Sequence, residues 1–103
     1  MAREDKLLTA EAERHILLNL ANLSQGQGRN KAFGWIELAR IRFLAGEPEQ
    51  ASQDGTRAIE AAASISSSMI KIRLRELLAE SVRYAEVPSV MELRDRLRAV
   101  TAQ

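Results

Sequence analysis

The sequence predicts an all-α fold, and three observations carry the prediction. Aromatic residues are only 4% of the chain, and strand-favouring residues are outnumbered by Ala, Leu, Arg and Glu, which lose little freedom in a helix. Apolar residues recur every three or four positions, the period of a helix with one buried side. Gly46, Pro48 and Pro88 stand where such stretches end and begin, at positions that helix termini favour.

Five helices follow in order. From Glu4 to Ser24 the residues Leu7, Leu8, Ala12, Ile16, Leu17, Leu20, Ala21 and Leu23 form one broad apolar stripe. A break at Thr9 is left open, because the capping box that would require one has Ala12 at its third position. The polar, glycine-bearing segment from Ser24 to Asn30 reads as a connection. Helix two runs from about Asn30, a good cap, to Ala45, and Gly46 closes it in the left-handed conformation. Pro48 opens helix three, where its missing N–H is not needed and where Glu47 and Glu49 favour the positive end of the dipole. That helix reaches roughly Ala63, with Gly55 costing about 1 kcal/mol relative to alanine unless close packing requires it. A serine-rich stretch then leads into helix four, about Ser67 to Ala85. Its wide stripe of Met69, Ile70, Ile72, Leu74, Leu77, Leu78 and Val82 predicts an internal helix. Pro88 opens the last helix, with Val90, Met91, Leu93, Leu97 and Val100 inward and Arg94 and Arg98 on the opposite face.

A chain of 103 residues fits one domain, residues 1–103, with a small core. Fifteen Lys and Arg against fourteen Asp and Glu leave a net charge of +1, which argues against the basic footprint of an autonomous nucleic-acid binder. With no cysteine and one histidine, neither a disulfide framework nor a metal site is expected. The start MAREDKLL lacks the apolar run of a signal peptide, and no stretch is apolar enough for a membrane span. A soluble, cytoplasmic protein with no membrane contact is expected.

Trp35, Leu38, Ala39, Gly46, Ala51 and Ala58 lie on one ruler, and their spacing resembles that of the tetratricopeptide repeat, a helical pair of about 34 residues. In that repeat a large residue and a leucine on the first helix fill the groove, and small residues let the second helix approach closely. The resemblance covers 32–65, with Arg42 in place of the usual tyrosine, Gly55 in place of the usual aromatic and no closing proline near Ala63. One repeat length back from Ala51 and Ala58 stand Leu17 and Ser24; one length forward from Leu38 and Ala39 stand Ile72 and Arg73. The flanks 4–31 and 66–103 are therefore expected to be degenerate, the second a capping pair, giving a short solenoid.

GEPEQA at Gly46 to Ala51, SSSMIKIRLREL and the tail YAEVPSVMELRDRL from Tyr84 to Leu97 resemble the carboxyl-terminal region of actinobacterial helix-turn-helix regulators of the xenobiotic-response-element type. The resemblance implies the regulatory part of a transcriptional regulator, binding DNA only through a domain not present in these residues. It implies a protein or peptide partner, and the short stack suggests a homodimer formed through helix one or the last helix. A groove for such a partner would be lined by Trp35, Glu37, Arg40, Arg42, Met69, Arg73 and Glu76.

No phosphate loop, nucleophile motif or cofactor fingerprint is present, so neither catalysis nor a cofactor is expected. His15, with Glu11 and Asn19 one turn away, reads as a solvated residue. Trp35 has a second reading, packing against a neighbouring helix. An alternative to the interaction domain is a helical nucleic-acid binder contacting phosphates through Arg94 and Arg98, opposed by interleaved acids.

Overall fold

The turn at Gly46 is set by local chemistry. In the computed structural model, which describes residues 10–18 and 28–102, Gly46 has φ of 77°, and the chain closes the preceding helix with two reversed bonds. Gly46 N donates to the Phe43 carbonyl at 3.2 Å and Glu47 N to the Arg42 carbonyl at 2.9 Å, the pairing that satisfies a helix's last carbonyls when a glycine follows it. Pro48 then begins the next helix at once, and Ala51 N reaches back to the Glu47 carbonyl at 3.0 Å. The tight hairpin read from the sequence is present.

The described residues form five α-helices, one short 3-10 helix and no strand: α1 at 10–18, α2 Gly28–Leu44, α3 Pro48–Ala62, α4 Ser68–Glu80, the 3-10 turn Ser81–Tyr84, and α5 Pro88–Thr101. The remainder of the predicted first helix, with Thr9, lies outside the described residues. Helix α2 begins at Gly28, inside the expected connection, and Gly28 lies against Ile65, whose Cδ1 would be 3.5 Å from an added Cβ. Helix four was expected to reach Ala85, but its regular part ends at Glu80. There the Ser81 hydroxyl donates to the Leu78 carbonyl at 2.6 Å, and Arg94 Nη1 donates to the same carbonyl at 2.8 Å. A carbonyl satisfied from outside no longer needs the next helical amide, and the chain tightens into a 3-10 turn.

Helices α2 and α3 pair as one hairpin and α4 and α5 as a second, with α2 packed on α4 and α3 on α5. The small residues sit at these crossings: Ala32, Ala39, Ala51 and Ala58 are all 0% exposed. Around them Ile36, Phe43, Ile59, Ile70, Leu74, Leu77, Val90, Leu93 and Leu97 complete the core, and Phe43 stacks on Tyr84 with ring centroids 6.0 Å apart. The buried register of α4 differs from the expected one. Its buried residues are Ile70, Leu74 and Leu77, whereas Arg73 is exposed and Ile72 is 44% exposed.

Helix α4 is accordingly half-covered and not internal. Ile70, Leu74 and Leu77 face the core, but Met69 and Ile72, and Val82 in the 3-10 turn that follows, stand exposed. In α5, Met91 is likewise exposed, and Arg94 turns inward, contrary to the predicted outward face.

Candidate functional site

The packing of α2 on α4 places charged side chains of both helices in one row. Arg40 on α2 grips Glu80 on α4 through Nε, at 3.0 and 2.9 Å from the two carboxylate oxygens, and through Nη2 at 2.9 Å. The same guanidinium lies 4.0 Å from Glu76 and 3.9 Å from Glu37. Arg73 completes the row through Glu76 at 3.2 Å. The hydrogen bond to Glu80 holds Arg40 more firmly protonated than usual, against partial burial and with the help of Glu37 and Glu76. Three carboxylates face two guanidiniums here, so the row carries an acidic excess. The side chains remain 28–55% exposed, so solvent screens them. The fork-shaped Arg40–Glu80 pairing adds geometry more than stability, about 1 kcal/mol at most.

Of the seven residues expected to line a groove, this row brings together Glu37, Arg40, Arg73 and Glu76. Met69 is exposed on the first turn of α4. Trp35 and Arg42 point elsewhere, toward α3. Trp35 is half-buried against the core with the Arg57 guanidinium 4.9 Å from its ring centroid, a cation–π contact. Arg42 Nε lies 2.9 Å from Asp54 Oδ2, and its Nη1 donates to Gln50 at 2.6 Å. The Arg42–Asp54 pair is an ion pair without a hydrogen bond, because the N–H of Nε does not point at the carboxylate oxygen.

Asp54 is a buried acid, 4% exposed. Burial pushes its carboxyl up to about 6, against the pull of Arg42 and Arg57 and with Glu13 and Glu47 adding to the rise. Neither Asp54 nor Glu80 was anticipated. Glu80 is forty residues from Arg40 and leaves no local sign. Asp54 did leave one, since it stands three residues after Ala51 and four before Ala58, on the face those alanines bury.

Arg94 and Arg98 do not form a joint basic surface. Arg94 Nη1 is committed to the Leu78 carbonyl and, at 2.7 Å, to the Ser81 hydroxyl. Arg98 is exposed and pairs with Asp95 at 3.3 Å. His15 is exposed on α1. Two open clefts flank the helices. One, of about 540 Å³, lies between Ile65, the serine-rich connection and Val100; the other, of about 580 Å³, lies between α3 and the start of α5. Among the described residues no group of three or more His, Cys, Asp or Glu is placed to hold a metal ion, and no helix is long and apolar enough to cross a membrane. Comparison with protein-family models, with curated proteins and with solved structures gives no match.

Proposed function

We propose that this chain is a non-catalytic helical interaction domain, its two hairpins stacked in the manner of tetratricopeptide repeats, and that it binds a peptide segment across the exposed faces of α2 and α4. The observation that supports it most is the charged row running from Glu37 and Arg40 across to Glu80, Glu76 and Arg73. It joins two neighbouring helices into one surface of fixed polarity, with exposed Met69 and Ile72 on α4 available for apolar contact. Further support comes from the buried alanines, whose small size lets the helices of each crossing approach closely. As in the resemblance drawn from the tail sequence, the domain would serve a transcriptional regulator whose DNA-reading part lies elsewhere. Self-association is part of the same reading.

The acidic excess of the row favours a peptide carrying Lys or Arg beside an apolar residue. Selection of such peptides from a displayed library against the full chain tests this. Selected peptides are expected to bind, and to lose at least about tenfold in affinity to Glu37→Lys or Glu76→Lys. A library yielding no binder, or binders indifferent to both substitutions, would contradict the reading. Sedimentation at micromolar concentration tests the self-association separately, and a strict monomer would remove it.

A further inference from the structure

The charged row ends in an exposed apolar side chain on each helix. Leu44, one turn after Arg40 at the end of α2, is 70% exposed, and Met69, one turn before Arg73 at the start of α4, is 46% exposed. Residues three, four and seven apart share a helix face, so Leu44 lies on the face of Glu37 and Arg40, and Met69 on the face of Arg73, Glu76 and Glu80. The two helices run side by side in the same direction: Gly28 lies against Ile65 just before α4, Arg40 meets Glu76 and Glu80, and Phe43 stacks on Tyr84 just after α4. Leu44 and Met69 therefore mark opposite ends of one surface, with the Glu37 and Glu76 carboxylates between them.

Glu80 is taken up by the fork of Arg40, but Glu37 and Glu76 stand 3.9 and 4.0 Å from Arg40 Nη1, with side chains 55% and 39% exposed. Glu76 shares its carboxylate with exposed Arg73 at 3.2 Å. A carboxylate accepts several hydrogen bonds, so both acids keep room for a further cation. Arg40 is level with the turn from Glu76 to Glu80, and a rise of about 1.5 Å per residue puts Leu44 about 20 Å from Met69 along the helices. An extended chain covers that distance in about six residues, at roughly 3.3 Å each. On the peptide-binding reading, we infer that Leu44 and Met69 are the two anchor seats of this surface, and that its partner is an extended segment with two apolar side chains about six residues apart and a Lys or Arg between them. The spacing of the anchors selects the segment's length, and the acids between them select its charge.

The test titrates the full chain against labelled synthetic peptides, acetylated and amidated at their ends, that carry a leucine at each end, a lysine at the centre and serines between, read by fluorescence anisotropy. The peptide with leucines about six residues apart is expected to bind. Leu44→Ser, Met69→Ser and removal of either peptide leucine are each expected to weaken binding about tenfold, and bringing the leucines within about three residues of each other to weaken it as much. Both substituted side chains face solvent, so the fold tolerates the changes. Binding that Glu76→Lys weakens but that either Leu44→Ser or Met69→Ser leaves unchanged would overturn the two anchors while the peptide-binding reading stands. Binding by none of these peptides, nor by any selected from the library, would overturn both.

Discussion

Leu93 of α5 fills the space that a side chain at Gly55 of α3 would occupy: a Cβ on residue 55 would stand 2.8 Å from both Leu93 methyl carbons. Gly55, a weak spot for α3 on propensity alone, is thus the close approach that lets the second hairpin rest on the first. Gly55→Ala gains about 1 kcal/mol in helix propensity but drives a methyl into a leucine that is 1% exposed, where overpacking costs about 1–3 kcal/mol. Net destabilisation of about 1 kcal/mol is expected in urea unfolding, relieved when Leu93→Val is added.

Ala58 tests the other crossing. It is 0% exposed, whereas Ala79 on α4 faces solvent. Ala58→Leu is expected to lower stability by about 2 kcal/mol, and Ala79→Leu by less than about 0.5 kcal/mol. Thermal unfolding of the two variants side by side checks the contrast.

Arg42 and Asp54 give a pH-dependent prediction. Asp54 is raised to about 6, so it stabilises the fold most at low pH, and this contribution fades as pH rises through that value. Its urea midpoint should therefore correspond to about 1 kcal/mol more stability at pH 5 than at pH 7.5, with the difference abolished in Asp54→Asn. Arg42→Ala leaves the carboxylate buried without its partner, and should cost about 3 kcal/mol at pH 7.5. At pH 5, where Asp54 is mostly protonated, the same substitution should cost less.

Arg94 joins α5 to the end of α4 through the Leu78 carbonyl and the Ser81 hydroxyl. Arg94→Ala is expected to lose about 1–2 kcal/mol, since both bonds come from a charged donor. Arg98, exposed and paired only with neighbouring Asp95, should cost at most about 0.5 kcal/mol on the same change. Calorimetric unfolding distinguishes the two.

What could be read from the sequence was what local chemistry decides. Gly46 and Pro48 fix the α2–α3 turn within a few residues, and the alanines singled out at 39, 51 and 58 are all fully buried. The wide stripe of α4 was misleading, because periodicity shows which residues share a side but not how much of it a neighbour covers; Ile72 and Val82 remain exposed. The candidate site was half legible. Glu37, Arg40, Arg73 and Glu76 were identified on their helices, but Glu80 stands forty residues from Arg40, and only the packing of α4 on α2 brings its carboxylate to them. Helical spacing put Arg94 on the face away from Leu93 and Leu97, but it stands four residues after buried Val90 and turns inward to the Leu78 carbonyl at the end of α4.

Binding of a partner across the joined faces of α2 and α4 is checked by mapping amide shifts in the full chain as a selected peptide is added. The largest changes are expected on Glu37, Arg40, Arg73 and Glu76. Changes confined instead to Ser52, Gln53, Glu92 and Arg96, which line the cleft between α3 and α5, would contradict it.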